Sequence, residues 1–474
     1  MAGISAAAIV PGSLKVKTEA PVTPYRADKP LIQLQQEFVN LRFGMFLHFN
    51  MATFQNREWG DPAGSLDVFD PTRLDPDQWA QAALSAGMTY ACITPKHHDG
   101  FCLWPTKTVS ASVLGTPKKI DVFKAFVDAF RKRGLKVGFH FSILDLRQDI
   151  RHFDVTPAKI RLIKDQLTEL LTEYGEMSIV IFDGWDAPWS RITYAEVSFE
   201  DIYRHVKELQ PNCLISELNA SQYPASALYY TDIKAFEQNA GQHIPGDSSI
   251  PAQSCVTLTD GWFWKQGDEN RDLKSVHQVV EEWLVPQNKL NCNLILNAPP
   301  TPEGILAPNV VERLAEIGRT WKPTEPVPKL NPSVNITTLN LATGQAITAG
   351  SCADTVGPDE ANDGRFGSYW RPDSGELNGW LEIDFKKPVQ FNRVVLVEPV
   401  SPVSDYPASR IKAYRFEYWN GTAWKEIAKG GAPQRVQIHA FPSTSARRLR
   451  LTIDASSEDP GVAEIGVYLE PTAG

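Results

Sequence analysis

Short apolar runs that stop at a polar residue recur through the first two thirds of this chain, and they limit its fold more than any other feature. The sharpest is residues 178–185, SIVIFDGW, in which four apolar residues run into a carboxylate, then a glycine and an aromatic. A run of this length, bounded by a turn signal, reads as a strand buried on both faces, as in a parallel sheet. Asp183 would then stand at the carboxyl end of its strand. In α/β barrels catalytic groups collect at that end. The plainer reading is that Asp183 caps the segment that follows, as Asp often does at strand-to-helix turns.

The pattern repeats in order. Residues 42–49 (RFGMFLHF) carry His48, residues 89–94 deliver Lys96-His97-His98-Asp99-Gly100, and residues 135–141 carry His140. Residues 213–215 lead into Glu217, 233–236 into Glu237, and 293–296 into Asn297. Helical spacing fills the intervals at 31–40, 75–87, 120–134, 157–174, 199–209, 273–285 and 309–321. In 75–87, for example, Trp79, Ala82, Ala83 and Ala86 share one face and Gly87 supplies the stop. Roughly eight strands alternating with helices over residues 31–321 predict an α/β fold, a (β/α)₈-like TIM barrel, whose usual size is about 250 residues.

Residues 1–30 are Ala-, Pro- and Lys-rich without periodicity and read as an N-terminal tail. Residues 322–332 (KPTEPVPKLNP) hold four prolines in eleven positions and read as a stiff linker. Helical periodicity ends there. Short alternating runs at 380–385, 393–397, 411–419, 435–439, 447–453 and 463–469 predict an all-β sandwich over 333–474.

Composition narrows the function. The net charge of −9 argues against a nucleic-acid binder, which would present a basic face. No stretch is long enough to span a membrane as a helix. None of the six cysteines forms a CxxC pair, and Cys92, Cys213 and Cys292 lie in apolar runs as buried thiols. Residues 4–10 are weakly apolar without a basic flank, so no complete secretory signal is visible. Asn219, Asn335 and Asn420 begin glycosylation-acceptor triplets, and a secreted or periplasmic location is the expectation.

The strand ends collect His48, His97, His98, His140, Asp183, Glu217, Glu237 and Asn297. Four of the nine histidines of the chain fall in this set. A single histidine on an apolar strand is usually a satisfied core group; four converging on one barrel mouth form a site. One option is a metal centre, since His clusters with carboxylates ligate zinc or iron. The spacing matches no HExxH pattern, and the adjacent His97 and His98 would point apart. The other option is glycoside hydrolysis, which takes two carboxyl groups flanking the scissile bond and neutral groups for sugar hydroxyls. Asp183 with Glu217 or Glu237 meets the first requirement; the histidines, Trp59, Trp185 and Trp262 meet the second.

Phe43-Gly-Met-Phe-Leu-His48-Phe, Glu58-Trp59-Gly60, Lys96-His97-His98-Asp99-Gly100-Phe101, Phe182-Asp183-Gly184 and Gly261-Trp262-Phe263 resemble the signature stretches of the α-L-fucosidases of glycoside hydrolase family 29. The resemblance spans about residues 35–321. It implies a (β/α)₈-like barrel, often missing a helix or two, and a retaining exo-enzyme acting on fucosylated oligosaccharides or glycoconjugates without metal or organic cofactor. By this resemblance Asp183 is the nucleophile. His48, His97, His98 and His140 bind fucose hydroxyls, Glu58 and Trp59 lie near the sugar, and Trp262 packs on its methyl side. The match weakens at the acid/base. Some members place that carboxyl in a Pro-Ala-Glu stretch eight residues before Gly-Trp-Phe, but here Pro251-Ala252 is followed by Gln253, whose amide has no titratable proton. The role then falls to Glu237, with Glu217 as the alternative. If the carboxyl is truly lost, the chain is an inactive glycan-binding protein.

The second domain resembles the galactose-binding-like β-sandwiches of the discoidin or coagulation-factor type, through Ala361-Asn-Asp-Gly-Arg365, Tyr369-Trp370, Gly379-Trp380-Leu-Glu-Ile-Asp-Phe385 and residues 447–453. The resemblance implies a module that often binds glycans, sometimes with a structural calcium, or one that only buttresses the barrel.

Overall fold

The computed structural model describes residues 29–470 apart from 186, 188, 194–195, 219–230, 243, 245–247, 249, 324, 331–335, 337, 339, 365–367, 400–409 and 434–435. Residues 1–28 of the tail expected over 1–30, together with Asn219, Asn335 and Arg365, lie outside the described residues.

Eight parallel strands close into a barrel in sequence order: β1 (Phe43–Leu47), β2 (Tyr90–Lys96), β3 (Lys136–Ser142), β4 (Ile179–Asp183), β5 (Leu214–Glu217), β6 (Ile233–Glu237), β7 (Ala252–Thr257) and β8 (Cys292–Asn297). β8 pairs with β1 to complete the ring. Nearly every residue of these strands is buried, which is why the sequence shows continuous apolar runs in place of alternation. Alternate residues still have different neighbours. Phe46, Cys92, Ile179, Ile181, Ile233, Ala235 and Ile295 fill the barrel interior. Met45, Leu47, Val180, Phe182, Ile215, Leu294 and Leu296 pack against the surrounding helices.

The first helix, α1 (Leu31–Val39), belongs to the interior layer: Leu34 and Phe38 join the inner cluster and plug the amino-terminal end of the barrel. The Phe38 ring meets the Tyr90 ring edge-on at 5.4 Å. Tyr90 can cross the interior because position 44 is glycine; a Cβ there would lie 2.4 Å from the phenol ring.

The outer helices start where the sequence supplies caps. Asp75 accepts from Gln78 N–H at the start of α3 (Pro76–Ser85), Asp121 from Lys124 at α4 (Val122–Arg131), and Thr156 from Lys159 at α5 (Pro157–Thr172). α2 (Met51–Phe54) is one short turn, and Ser198 caps α6 (Phe199–Leu209). The helix expected over 273–285 is instead a π-helical stretch, Gln278–Leu284, running into the single turn α7 (Val285–Asn288). Helix α8 (Pro308–Thr320) ends the barrel domain. Among the described residues no α-helix stands between β5 and β6 or between β6 and β7, and no helix is long and apolar enough to cross a membrane.

The second domain is an antiparallel β-sandwich-type unit of β9 (Ala346–Ala349), β10 (Gly379–Val397), β11 (Ile411–Trp419), β12 (Trp424–Gly430), β13 (Val436–Ser456) and β14 (Glu464–Tyr468). The runs expected as separate strands at 380–385 and 393–397 are two halves of β10, joined across register shifts opposite β13. The runs at 435–439 and 447–453 merge likewise into β13. The proline-rich segment is docked on the barrel. Val327 and Leu330 bury against Val39, Gln36 bonds the backbone at Pro328 and Leu330, and Arg42 donates to the Glu325 carbonyl.

Candidate active site

The carboxyl ends of the strands surround a cleft of about 630 Å³, within the usual range for small-molecule sites. Phe46 lies on its wall together with His48, His97, His98, Asp183 and Glu237, and the rim carries Glu58, Trp59, Trp189, Asp260, Trp262 and Lys265.

Asp183 ends β4 and is nearly buried. Its Oδ2 accepts from His140 Nε2 at 3.1 Å, and its Oδ1 accepts from the Gly184 N–H at 2.6 Å. Gly184 turns the chain sharply at φ +70°, where a Cβ would lie 2.9 Å from Leu144 Cβ. Burial pushes the Asp183 pKa up, but the imidazoles of His140 and His98 and the Gly184 N–H outweigh it, and the carboxyl titrates below its ordinary range.

Glu237 ends β6 in the same wall. Burial and the nearby Asp183 charge push its pKa up to about 7, against a hydrogen bond from Trp262. Two carboxyl groups share one cleft, one held ionised and the other able to keep its proton near neutrality.

Burial lowers His48, His97 and His98 below the usual histidine range. Burial and the other imidazoles lower His48 to about 3. Asn297 Nδ2 donates to the Trp262 carbonyl at 2.7 Å, so its Oδ1 must accept from His48 Nδ1–H at 2.7 Å. His48 Nε2 is left as an acceptor. Burial lowers His98 to about 4. Ser142 Oγ donates to the Leu144 carbonyl and therefore accepts from His98 Nδ1 at 2.7 Å. His98 Nε2 then faces Asp183 Oδ2 at 3.6 Å as a neutral nitrogen at pH 7. Burial holds His97 well below the usual histidine range. Among the described residues no group of three His, Cys, Asp or Glu side chains is arranged to hold a metal ion.

The turn that presents His97 and His98 is braced from behind. Lys96 is fully buried, donates to Gln166, pairs with Asp145 at 3.4 Å and covers the Phe141 ring at 4.2 Å. The Glu58-Trp59-Gly60 stretch leans on the same turn; a Cβ on Gly60 would lie 2.8 Å from Asp99 Cγ. Glu58 accepts from Trp262 N–H at 3.1 Å and pairs with Lys265 at 2.5 Å.

Three residues expected in the site stand elsewhere. His140 does not line the cleft; it stands one layer deeper and supports Asp183. The Trp185 ring is fully buried, donates to the Val197 carbonyl, and packs between Phe182 and Phe199. The indole that this loop brings to the rim is Trp189, from a stretch whose sequence shows no periodicity and offers only its aromatic content as a signal. Glu217 is fully buried, is registered beside Lys234 on β6, and interacts with it through charge. Gln253, where the expected carboxyl is missing, is also outside the cleft wall: it is buried in the barrel and donates to the Tyr90 hydroxyl at 2.9 Å.

A family profile described as "Alpha-L-fucosidase" matches residues 57–323, and one described as "F5/8 type C domain" matches residues 346–466. The chain is similar to Alpha-L-fucosidase 1 of Arabidopsis thaliana, with 25% identity over 469 residues that cover 93% of this chain and 87% of the relative. Among solved structures it is similar to Alpha-L-fucosidase isoenzyme 1 from Paenibacillus thiaminolyticus, at 24% identity and a TM-score of 0.53 over 90% of this chain and 100% of that one. It is also similar to a Ruminococcus gnavus GH29 fucosidase in complex with fucose, at 20% identity and a TM-score of 0.50 over 96% and 97% of the two chains. At these identities the two structural likenesses speak for the fold.

Proposed function

Because the chain belongs to the α-L-fucosidase family of glycoside hydrolases, we propose that it is a retaining exo-α-L-fucosidase that removes terminal α-L-fucosyl residues from oligosaccharides or glycoconjugates. The observation that carries this reading is the pair of carboxyl groups in one cleft with opposed titration, Asp183 lowered and Glu237 raised to about 7.

Asp183 attacks the anomeric carbon while Glu237 donates its proton to the departing oxygen. The glycosidic bond breaks, an ester joins fucose to Asp183, and the leaving group departs as a neutral alcohol. Glu237, now a carboxylate, takes a proton from water; the water oxygen attacks the same carbon and frees Asp183. A second displacement returns the original anomer. His48, with Nε2 as an acceptor, receives a sugar hydroxyl, and His97 and His98 line the same wall. Trp262 offers an apolar face, its ring 4.9 Å from His48. The plugged amino-terminal end of the barrel gives the cleft a floor, which favours attack at a chain end. Turnover is taken to need no metal or organic cofactor, so prolonged chelation is expected to leave activity intact.

The test is hydrolysis of an aryl α-L-fucoside, followed by proton NMR of the first-formed sugar. Release of the α-anomer, together with loss of at least about a thousandfold in kcat for Asp183→Asn, is expected. Binding of fucose without turnover of any fucoside, or near-normal turnover by Asp183→Asn, overturns the reading.

A further inference from the structure

Two indoles stand at the mouth of the cleft with much of their surface in water, Trp59 at 39% and Trp189 at 45% exposure. Their rings meet edge-on, with centroids 4.9 Å apart. Each also packs on the His98 ring, at 4.7 Å for Trp59 and 4.6 Å for Trp189. His98 Nε2 lies 3.6 Å from the Asp183 carboxylate. A continuous aromatic wall therefore runs outward from the proposed nucleophile. Leaving apolar surface in water forgoes about 25 cal/mol per Å². Two indoles fixed side by side at a cleft mouth make binding surface, since each offers a flat face and a polar N–H edge.

Trp189 is also held in place. It lies in the loop that follows β4, and Glu196 farther along that loop ties it to the loop after β3. The Glu196 carboxylate accepts from Thr193 N–H at 2.9 Å, from His152 Nδ1 at 2.9 Å and from Phe153 N–H at 2.6 Å. The cations around the mouth are already paired with carboxylates. The one lysine of the cleft wall, Lys265, pairs with Glu58 at 2.5 Å, and Asp260 faces Arg271 at 3.7 Å. Among the described wall residues no uncommitted cation is left to receive a sulfate or a carboxylate.

We propose that Trp189 determines leaving-group specificity, stacking on the apolar face of a neutral sugar ring attached to fucose and favouring such substrates over sulfated or sialylated ones. This rests on the fucosidase reading above. It assigns to Trp189 the sugar that departs, and to the inner wall the fucose.

The experiment compares the full chain with Trp189→Ala and Trp189→Phe on three substrates: α-L-fucosyl fluoride, whose leaving group is a single atom, a neutral fucosylated trisaccharide, and the same trisaccharide sulfated on the ring next to fucose. Trp189→Ala is expected to lower kcat/KM for the neutral trisaccharide about tenfold more than for the fluoride, chiefly through KM, and Trp189→Phe to recover most of the difference. The wild type is expected to prefer the neutral trisaccharide to the sulfated one. Equal losses on fluoride and trisaccharide, no loss on the trisaccharide, or equal cleavage of sulfated and neutral substrates overturns the assignment. A wild type that cleaves neither the fluoride nor the trisaccharide overturns the fucosidase reading itself.

Discussion

His140 holds Asp183 from the layer beneath it: its Nε2–H donates to the Asp183 Oδ2 at 3.1 Å, while in the β3–β4 register His140 stands beside Ile181 and Ser142 beside Asp183. The contact aims one carboxylate oxygen inward and leaves the direction of the other to the Gly184 N–H. It also offsets the burial that would raise the Asp183 pKa.

Replacing His140 by Ala should therefore act through Asp183 and not through sugar affinity. Loss of alignment should lower kcat by up to about a hundredfold. The acid limb of the pH profile should move to higher pH, because burial is then opposed only by His98 and the Gly184 N–H. The sign for stability follows the same linkage. A carboxyl lowered in the folded state contributes stability above its unfolded pKa, and that contribution is lost as pH falls through the folded value. The variant should accordingly be less stable at neutral pH. A profile of kcat/KM against pH with an unmoved acid limb would sink this account.

Glu237 should set the opposite limb. It acts first as an acid, so activity on oligosaccharides should fall as pH rises through about 7, the value to which burial and the Asp183 charge push it. Glu237→Gln should remove that limb and damage oligosaccharide hydrolysis by at least about a hundredfold. Cleavage of an activated aryl fucoside should suffer much less at the first step, since a weakly basic phenolate leaves unaided. Equal losses on the two substrates would show that Glu237 binds sugar and does not move the proton.

The choice between Glu237 and Glu217 turns on strand parity, which the sequence hides. On β4 the inward residues are Ile179, Ile181 and then Asp183; on β6 they are Ile233, Ala235 and then Glu237. On β5 the inward residues are Leu214 and Leu218, with Ile215 packed outward, so Glu217 follows the outward set. In a sheet buried on both faces the two sets are equally apolar, and nothing in the letters marks which faces in. The barrel was legible for the same reason, because continuous apolar runs mark strands without regard to face. The cluster His48, His97, His98 and Asp183 was legible from its position at strand ends. Trp185 and Trp189 were not separable in advance: one fills a gap between Phe182 and Phe199 and the other stands in water, a difference made by the loop's path.

Glu217→Gln should cost stability and spare chemistry. Lys234 is fully encased, and burial pushes its pKa down to about 7, against which Glu217 holds it up. Removing the carboxylate should destabilise the barrel by roughly 3 kcal/mol, the lower end for breaking a buried pair. Denaturant unfolding should register that loss while the ratio of oligosaccharide to aryl-fucoside turnover stays at the wild-type value. A changed ratio with unchanged stability would return Glu217 to the site.

Cutting the chain after Trp321 tests whether the two domains are independent. The proline-rich stretch 322–332 suggests a spacer, and all the proposed catalytic groups precede it. The packing argues otherwise. Val395, Val397, Val436, Ile438, Ala463 and Tyr468 of the second domain belong to the same contiguous apolar cluster as the barrel and its helices. Val327 and Leu330 seal the segment against Val39 on α1, the helix that plugs the barrel. Truncation would expose an apolar face on the barrel, a surface that promotes association. The shortened protein should fold, keep measurable turnover of an aryl fucoside, self-associate in light scattering, and melt about 5–10 °C below the full chain, as a loss of a few kcal/mol requires for a domain of this size. A monodisperse barrel with the wild-type Tm would show that the second domain lends it nothing. A folded, monodisperse barrel without activity would mean that the second domain completes the cleft.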